Sequence, residues 1–137
     1  MKKALLGTLA LAILTGCSQQ ATEETTPNQK TPLSVEATVL MQFLEAYEDI
    51  SRALTVNSAC EVLPEPVSNR FEGYVSALNV KLHRSEEISE TVLEGYHAQW
   101  RDAATKRSGR DPDCDERART LVDNAMALAQ TLYRQIQ

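Results

Sequence analysis

The chain has 137 residues, with 14 Lys or Arg against 19 Asp or Glu, for a formal charge of −5. That acidic balance disfavours nucleic-acid binding, which needs a basic footprint, and 5% aromatic residues leave little for a platform on which bases or sugars stack. Charged residues make up 24% and hydrophobic ones 42%; this mixture disfavours global disorder and suits one small domain.

Met1-Lys2-Lys3 is basic, and Ala4 to Leu14 is almost wholly apolar. As a helix this stretch is about 16 Å long, too short to cross a bilayer and suited to the middle of a signal peptide. Leu14-Thr15-Gly16-Cys17 follows at once. These four residues match the lipobox Leu-x-Gly/Ala-Cys, so the N-terminus resembles that of bacterial lipoproteins. The resemblance implies a signal peptide over residues 1–16 and Cys17 as the lipidation site. Cys17 would carry a thioether-linked diacylglycerol and an N-acyl chain, anchoring the protein to the membrane. Three acyl chains exceed the two signals that stable attachment needs. Ser18 stands where an Asp would resemble the inner-membrane retention signal, which points to the outer membrane and its periplasmic face. Loss of Lys2 and Lys3 takes the formal charge from −5 to −7.

Residues 17–33 comprise the lipidated Cys and a polar stretch with Pro27 and Pro32 and no apolar periodicity. This reads as a flexible tether that reaches about 55 Å when fully extended. Residues 34–137 read as a helical domain. Ser34 is a candidate N-cap with Glu36 in the first turn. Val35, Val39, Leu40, Phe43, Leu44, Tyr47, Ile50 and Leu54 recur at helical spacing up to about Asn57. A second helix is predicted from Pro66, with Phe71, Tyr74, Val75 and Leu78 as its stripe, Gly73 as a weak point and an end near Asn79. Ser85-Glu86-Glu87 is predicted to open a third helix, with Ile88, Val92, Tyr96, Trp100 and Ala103 inward. Lys106, Arg107 and Gly109 close it. Asp111-Pro112 is predicted to start a fourth, with Cys114, Ala118, Leu121, Val122, Ala125, Leu128, Ala129, Leu132 and Ile136 as its stripe. No segment alternates as a strand does. The predicted fold class is all-α: a small four-helix bundle, stapled by one disulfide.

The staple is Cys60 to Cys114. They are an even pair in an oxidising compartment once Cys17 is lipidated; two separate thiols are the alternative. A bridge would close a loop of about 55 residues, for which chain entropy gives about 4 kcal/mol before native strain subtracts from it.

The residues that carry chemistry do not assemble in the sequence. His83 and His97 have no metal-binding spacing, and no Ser stands in a Gly-x-Ser-x-Gly context. Glu86, Glu87, Glu90 and Glu94 read as a solvated helix face. Asp111, Asp113, Asp115 and Glu116 lack the Gly and terminal Glu of a calcium loop, and helix N-capping accounts for them better. Trp100 reads as core or as a partly exposed anchor for a partner. No enzyme activity, metal, cofactor or nucleic-acid partner is expected.

A binding role remains. Val39, Leu40, Met41, Phe43 and Leu44 crowd more than one face of the first helix. With Tyr47, this apolar excess either lines a groove for an amphipathic helix of another protein or is covered by the other three helices. Periodicity leaves both open.

A lipobox, a tether, an all-α domain and one helix-to-helix disulfide together resemble the short pilotins of bacterial type II secretion. Here the corresponding features are the helix from Val35, then Cys60, Leu63-Pro64 and Cys114. The Gly-Trp-Asp of that family between its second and third helices is absent, and the last helix carries Asp123-Asn124 and Tyr133 instead of that family's ending. The resemblance implies a non-enzymatic adaptor that grips the C-terminal helix of a secretin subunit and carries it to the outer membrane, with Val39, Leu40, Phe43, Leu44 and Tyr47 as the partner-binding residues. An accessory, inhibitory or structural envelope lipoprotein with a different protein client is the alternative.

Overall fold

The computed structural model describes residues 31–137. Cys17 and the expected signal peptide lie outside the described residues, as does most of the expected tether. Four helices follow in order: α1 (Val35–Cys60), α2 (Glu65–Arg84), α3 (Glu90–Arg107) and α4 (Glu116–Gln135). The described residues contain no strand, so the domain is all-α as the periodicity predicts.

α1 begins where its cap signal says it should. The Ser34 hydroxyl accepts from the Ala37 N–H at 3.0 Å, which satisfies one of the amides that a helix start leaves free. α1 ends on Glu61 at φ 49°, a left-handed turn made by a residue other than glycine. Buried Asn57 fixes that turn from within: its amide oxygen accepts from the Leu63 N–H at 2.9 Å, and its amide nitrogen donates to Ser68 Oγ at 2.7 Å. One side chain thus links the end of α1, the turn and the first turns of α2.

The core is built by α1, α2 and α4, each packed on the other two. Leu40, Phe43, Leu44 and Ile50 of α1 meet Phe71, Leu78 and Leu82 of α2 and Val122, Ala129 and Leu132 of α4, all buried. The small residues Ala118, Ala125 and Ala129 on the inner face of α4 let it lie close to α1.

α1 runs three residues past its expected end near Asn57, to Cys60, and three further boundaries differ from the sequence expectation. α2 continues five residues past Asn79, because Leu82 reaches the core and Lys81 Nζ donates to the Ile136 carbonyl at 2.7 Å. The cap of α3 is Ser89, not Ser85: the Ser89 hydroxyl accepts from the Val92 N–H, while Ser85 ends α2 and Ile88 turns into the core. The cap of α4 is Asp115, whose carboxylate accepts from the Arg117 and Ala118 N–H groups at 3.0 Å. Cys114, expected inside that helix, precedes it. It is bonded to Cys60 with Cα atoms 5.5 Å apart, across 54 positions of sequence. Residues 108–115 therefore run as a strap from the end of α3 to the end of α1, leaving α3 through Gly109 at φ 79°.

α3 is set apart. Its backbone approaches α1 alone, and none of its side chains is fully buried. The domain is a three-helix core with a fourth helix laid across one member.

Candidate functional site

The apolar excess of α1 resolves largely into core. Val39, Leu40, Phe43 and Leu44 are at most 3% exposed, so the open groove expected as one alternative does not exist at these side chains. α2 and α4 cover them, since α1 is the one helix packed against all three others. Met41 is half-buried at the edge of this core, as is Tyr47. Of the five side chains named for partner binding, Tyr47 alone reaches a seam between helices.

That seam, between α1 and α3, is the most distinctive surface of the domain. Tyr47 stacks on Trp100 with ring centroids 3.9 Å apart and packs edge-on against buried Phe43 at 5.5 Å. Tyr96, one turn before Trp100, lies 6.1 Å from it, and His97 lies 5.0 Å from it. His83, in the last turn of α2, faces His97 at 6.1 Å. Aromatic pairs at these separations attract beyond the area they bury. Beside the aromatic row, Arg107 donates to Glu48 at 2.6 Å with both side chains partly exposed. Leu93, Tyr96, Trp100, Ala103 and Arg107 form one half-buried stripe on α3 at helical spacing. Val92, expected on that stripe, is exposed, and Leu93 takes its place.

The chain leading into α3 is fastened separately. Glu87 accepts from both the hydroxyl and the N–H of Ser34. These hydrogen bonds, the hydroxyl's first, hold the Glu87 carboxyl below its ordinary range. On the outer side of α3, Lys106 pairs with Asp102 at 2.7 Å, and that hydrogen bond, aided by the Asp102 charge, raises the lysine.

The acidic runs form no shared site. Glu86, Glu90 and Glu94 are exposed, and Asp115 is occupied in capping α4. Among the described residues no three His, Cys, Asp or Glu side chains come together as metal ligands would. Two shallow open hollows lie at the disulfide end. One is lined by Asn57, Glu65, Ser68 and Glu72, the other by Cys60, Cys114, Glu116 and Arg119.

Residues 1–18 match the family model of the prokaryotic membrane lipoprotein lipid attachment site. That match supports a bacterial lipoprotein. The match spans the lipobox and Cys17, and supports attachment to a membrane through lipid. No described helix is long and apolar enough to cross a membrane itself. No curated protein and no solved structure matches the chain.

Sequence reasoning named Tyr47 but missed its partners as a group. The signal was present: Tyr96, Trp100, Ala103 and Arg107 stand at i, i+4, i+7 and i+11, and Trp100 is the one tryptophan of the chain. Nothing in the sequence says that this stripe would lie on Tyr47 and Glu48.

Proposed function

We propose that this lipoprotein is a non-enzymatic adaptor of the outer membrane, held on the periplasmic face by acyl chains on Cys17, whose helical domain binds a helix of a protein client. The seam between α1 and α3 carries this reading. Half-buried Tyr47, Tyr96 and Trp100, with a charged pair beside them, are the residue types that dominate binding energy at protein interfaces. Four helices, a disulfide from the end of the first to just before the last, and a lipid attachment site are the features a pilotin would need. By that likeness the client is the C-terminal helix of a secretin subunit, disordered alone and folding on binding. The lipid supplies the address and the domain supplies the grip. Catalysis has no part in it.

The test is cross-linking of the tagged lipoprotein in its native cells, with identification of what is recovered. A secretin subunit, lost when its C-terminal helix is deleted, supports the proposal. Recovery of unrelated envelope proteins, or of no protein, overturns it. Membrane fractionation tests the address separately: sedimentation with the inner membrane would overturn the outer-membrane assignment.

A further inference from the structure

We infer that the client's docking surface is the face of α1 around Tyr47 and Glu48, and that α3 occupies this surface as a displaceable stand-in for the client helix. The inference rests on the adaptor reading above and says where on the molecule it acts.

Four observations lead there. First, the backbone of α3 approaches α1 alone, its His97 meeting α2 only at His83, and it buries no side chain fully, while α1, α2 and α4 bury one another. Helices with few buried contacts open at lower free energy than the core around them. Second, the helix is intrinsically weak: Gly95 lies in its interior with open space around it. Third, both flanks of α3 are anchored independently. Ile88 is in the core and Glu87 is bonded to Ser34 on one side, and Cys114 is bonded to Cys60 on the other. The segment between them can leave α1 without undoing the three-helix core. Fourth, α3 touches α1 through a simple pattern: Trp100 on Tyr47 and, two turns later, Arg107 on Glu48.

That pattern describes the occupant. A partner helix that replaces α3 must offer a large aromatic side chain to Tyr47 and a basic one seven positions on to Glu48, with small or apolar residues between them on the same face. A basic amphipathic helix also complements the acidic chain, which carries 19 acidic against 14 basic residues.

The test has two parts. In the lipidated full-length protein in detergent, amide exchange is followed helix by helix. The α3 amides are expected to exchange on the order of 100-fold faster than core amides of α1 and α4, with the disulfide intact. Equal protection of α3 and the core would overturn the inference. The second part uses a synthetic peptide of residues 90–107, this chain's own α3, added to the full-length Trp100→Ala protein. The peptide then holds the only tryptophan in the mixture. Saturable blue-shifted fluorescence is expected, and it is lost when the protein also carries Tyr47→Ala. A dye-labelled peptide carrying Trp100→Phe, followed by anisotropy, is expected to bind at least 10-fold more weakly than the labelled parent peptide. A peptide that does not bind, or that binds regardless of Tyr47, would overturn the docking surface. The two readings fail separately. A client captured by a protein whose α3 stays protected overturns this inference alone. A peptide that docks as described, with no client captured in cells, overturns the adaptor reading alone.

Discussion

Cys60 and Cys114 are 54 positions apart in sequence and 5.5 Å apart at Cα, joining the last residue of α1 to the residue before the Asp115 cap of α4. The bond spans two helices that already pack along their lengths. Its contribution therefore lies mainly in restricting the unfolded chain and in fixing the strap 108–115. Cys114→Ser is expected to cost about 2–4 kcal/mol in urea unfolding while the far-ultraviolet helix signal of the folded protein stays intact. A loss of folded helix at zero denaturant would contradict this.

The burial of α1 sets a second expectation. Phe43 has no exposed surface and packs under Tyr47. Phe43→Ala is expected to destabilise the protein by about 3–5 kcal/mol, and Phe43→Asp to unfold it. Circular dichroism decides between this and the behaviour of an open groove, where either change would leave the fold alone.

Asn57 offers a sharper test of the α1–α2 turn. Its two hydrogen bonds join Leu63 and Ser68 around a buried amide, so Asn57→Ala strands the Leu63 N–H and removes the link to α2. The expected cost is about 1–3 kcal/mol. Glu61→Gly, at the left-handed residue four positions on, is expected to change stability in the opposite direction by roughly 0.5–1 kcal/mol. Both are read from denaturant midpoints at unchanged slope.

Gly73 stands in the exposed interior of α2, and a methyl group added there meets nothing within 4 Å. Gly73→Ala is expected to stabilise the protein by about 0.5–1 kcal/mol. A destabilised variant in thermal unfolding would show that the open space around this position is occupied in solution.

The Glu87–Ser34 link carries a pH dependence with a defined sign. The Ser34 hydroxyl and N–H favour the ionised carboxylate, so Glu87 titrates below its ordinary value of 4.5. The stabilisation is present above that value and fades as the pH falls through the lowered one. The Ser34 amide resonance is expected to move with a midpoint below 4.5, and that transition is expected to vanish in Glu87→Gln. A midpoint at or above 4.5 would contradict it.

The local signals in the sequence carried the helical identity of each segment. A Ser cap before an apolar repeat, acids in first turns and Gly109 after a basic last turn are satisfied by neighbouring backbone, so they read correctly without the rest of the molecule. The pairing of Cys60 with Cys114 followed from compartment and count, and the lipobox stands within four consecutive residues. Where two local signals competed, the sequence had no means to choose. Ser85 and Ser89 are both possible caps; Ile88 entering the core and Glu87 turning back to Ser34 decide for Ser89. Asp111 and Asp115 are both possible starts; Cys114, bonded to Cys60, lies outside the helix, which begins only after Asp115. The seam follows the same logic. Periodicity shows that a face of α1 is apolar, and that of α3 that Tyr96, Trp100 and Arg107 share a side. Which helix covers which face depends on packing between residues about 50–60 positions apart, such as Tyr47 with Trp100 and Glu48 with Arg107. Hydrophobic burial is non-directional, so an apolar face can be satisfied by any partner of the right shape. Only the tertiary structure shows that α2 and α4 close over Phe43 and Leu44, while α3 rests at the edge on Tyr47 and Glu48.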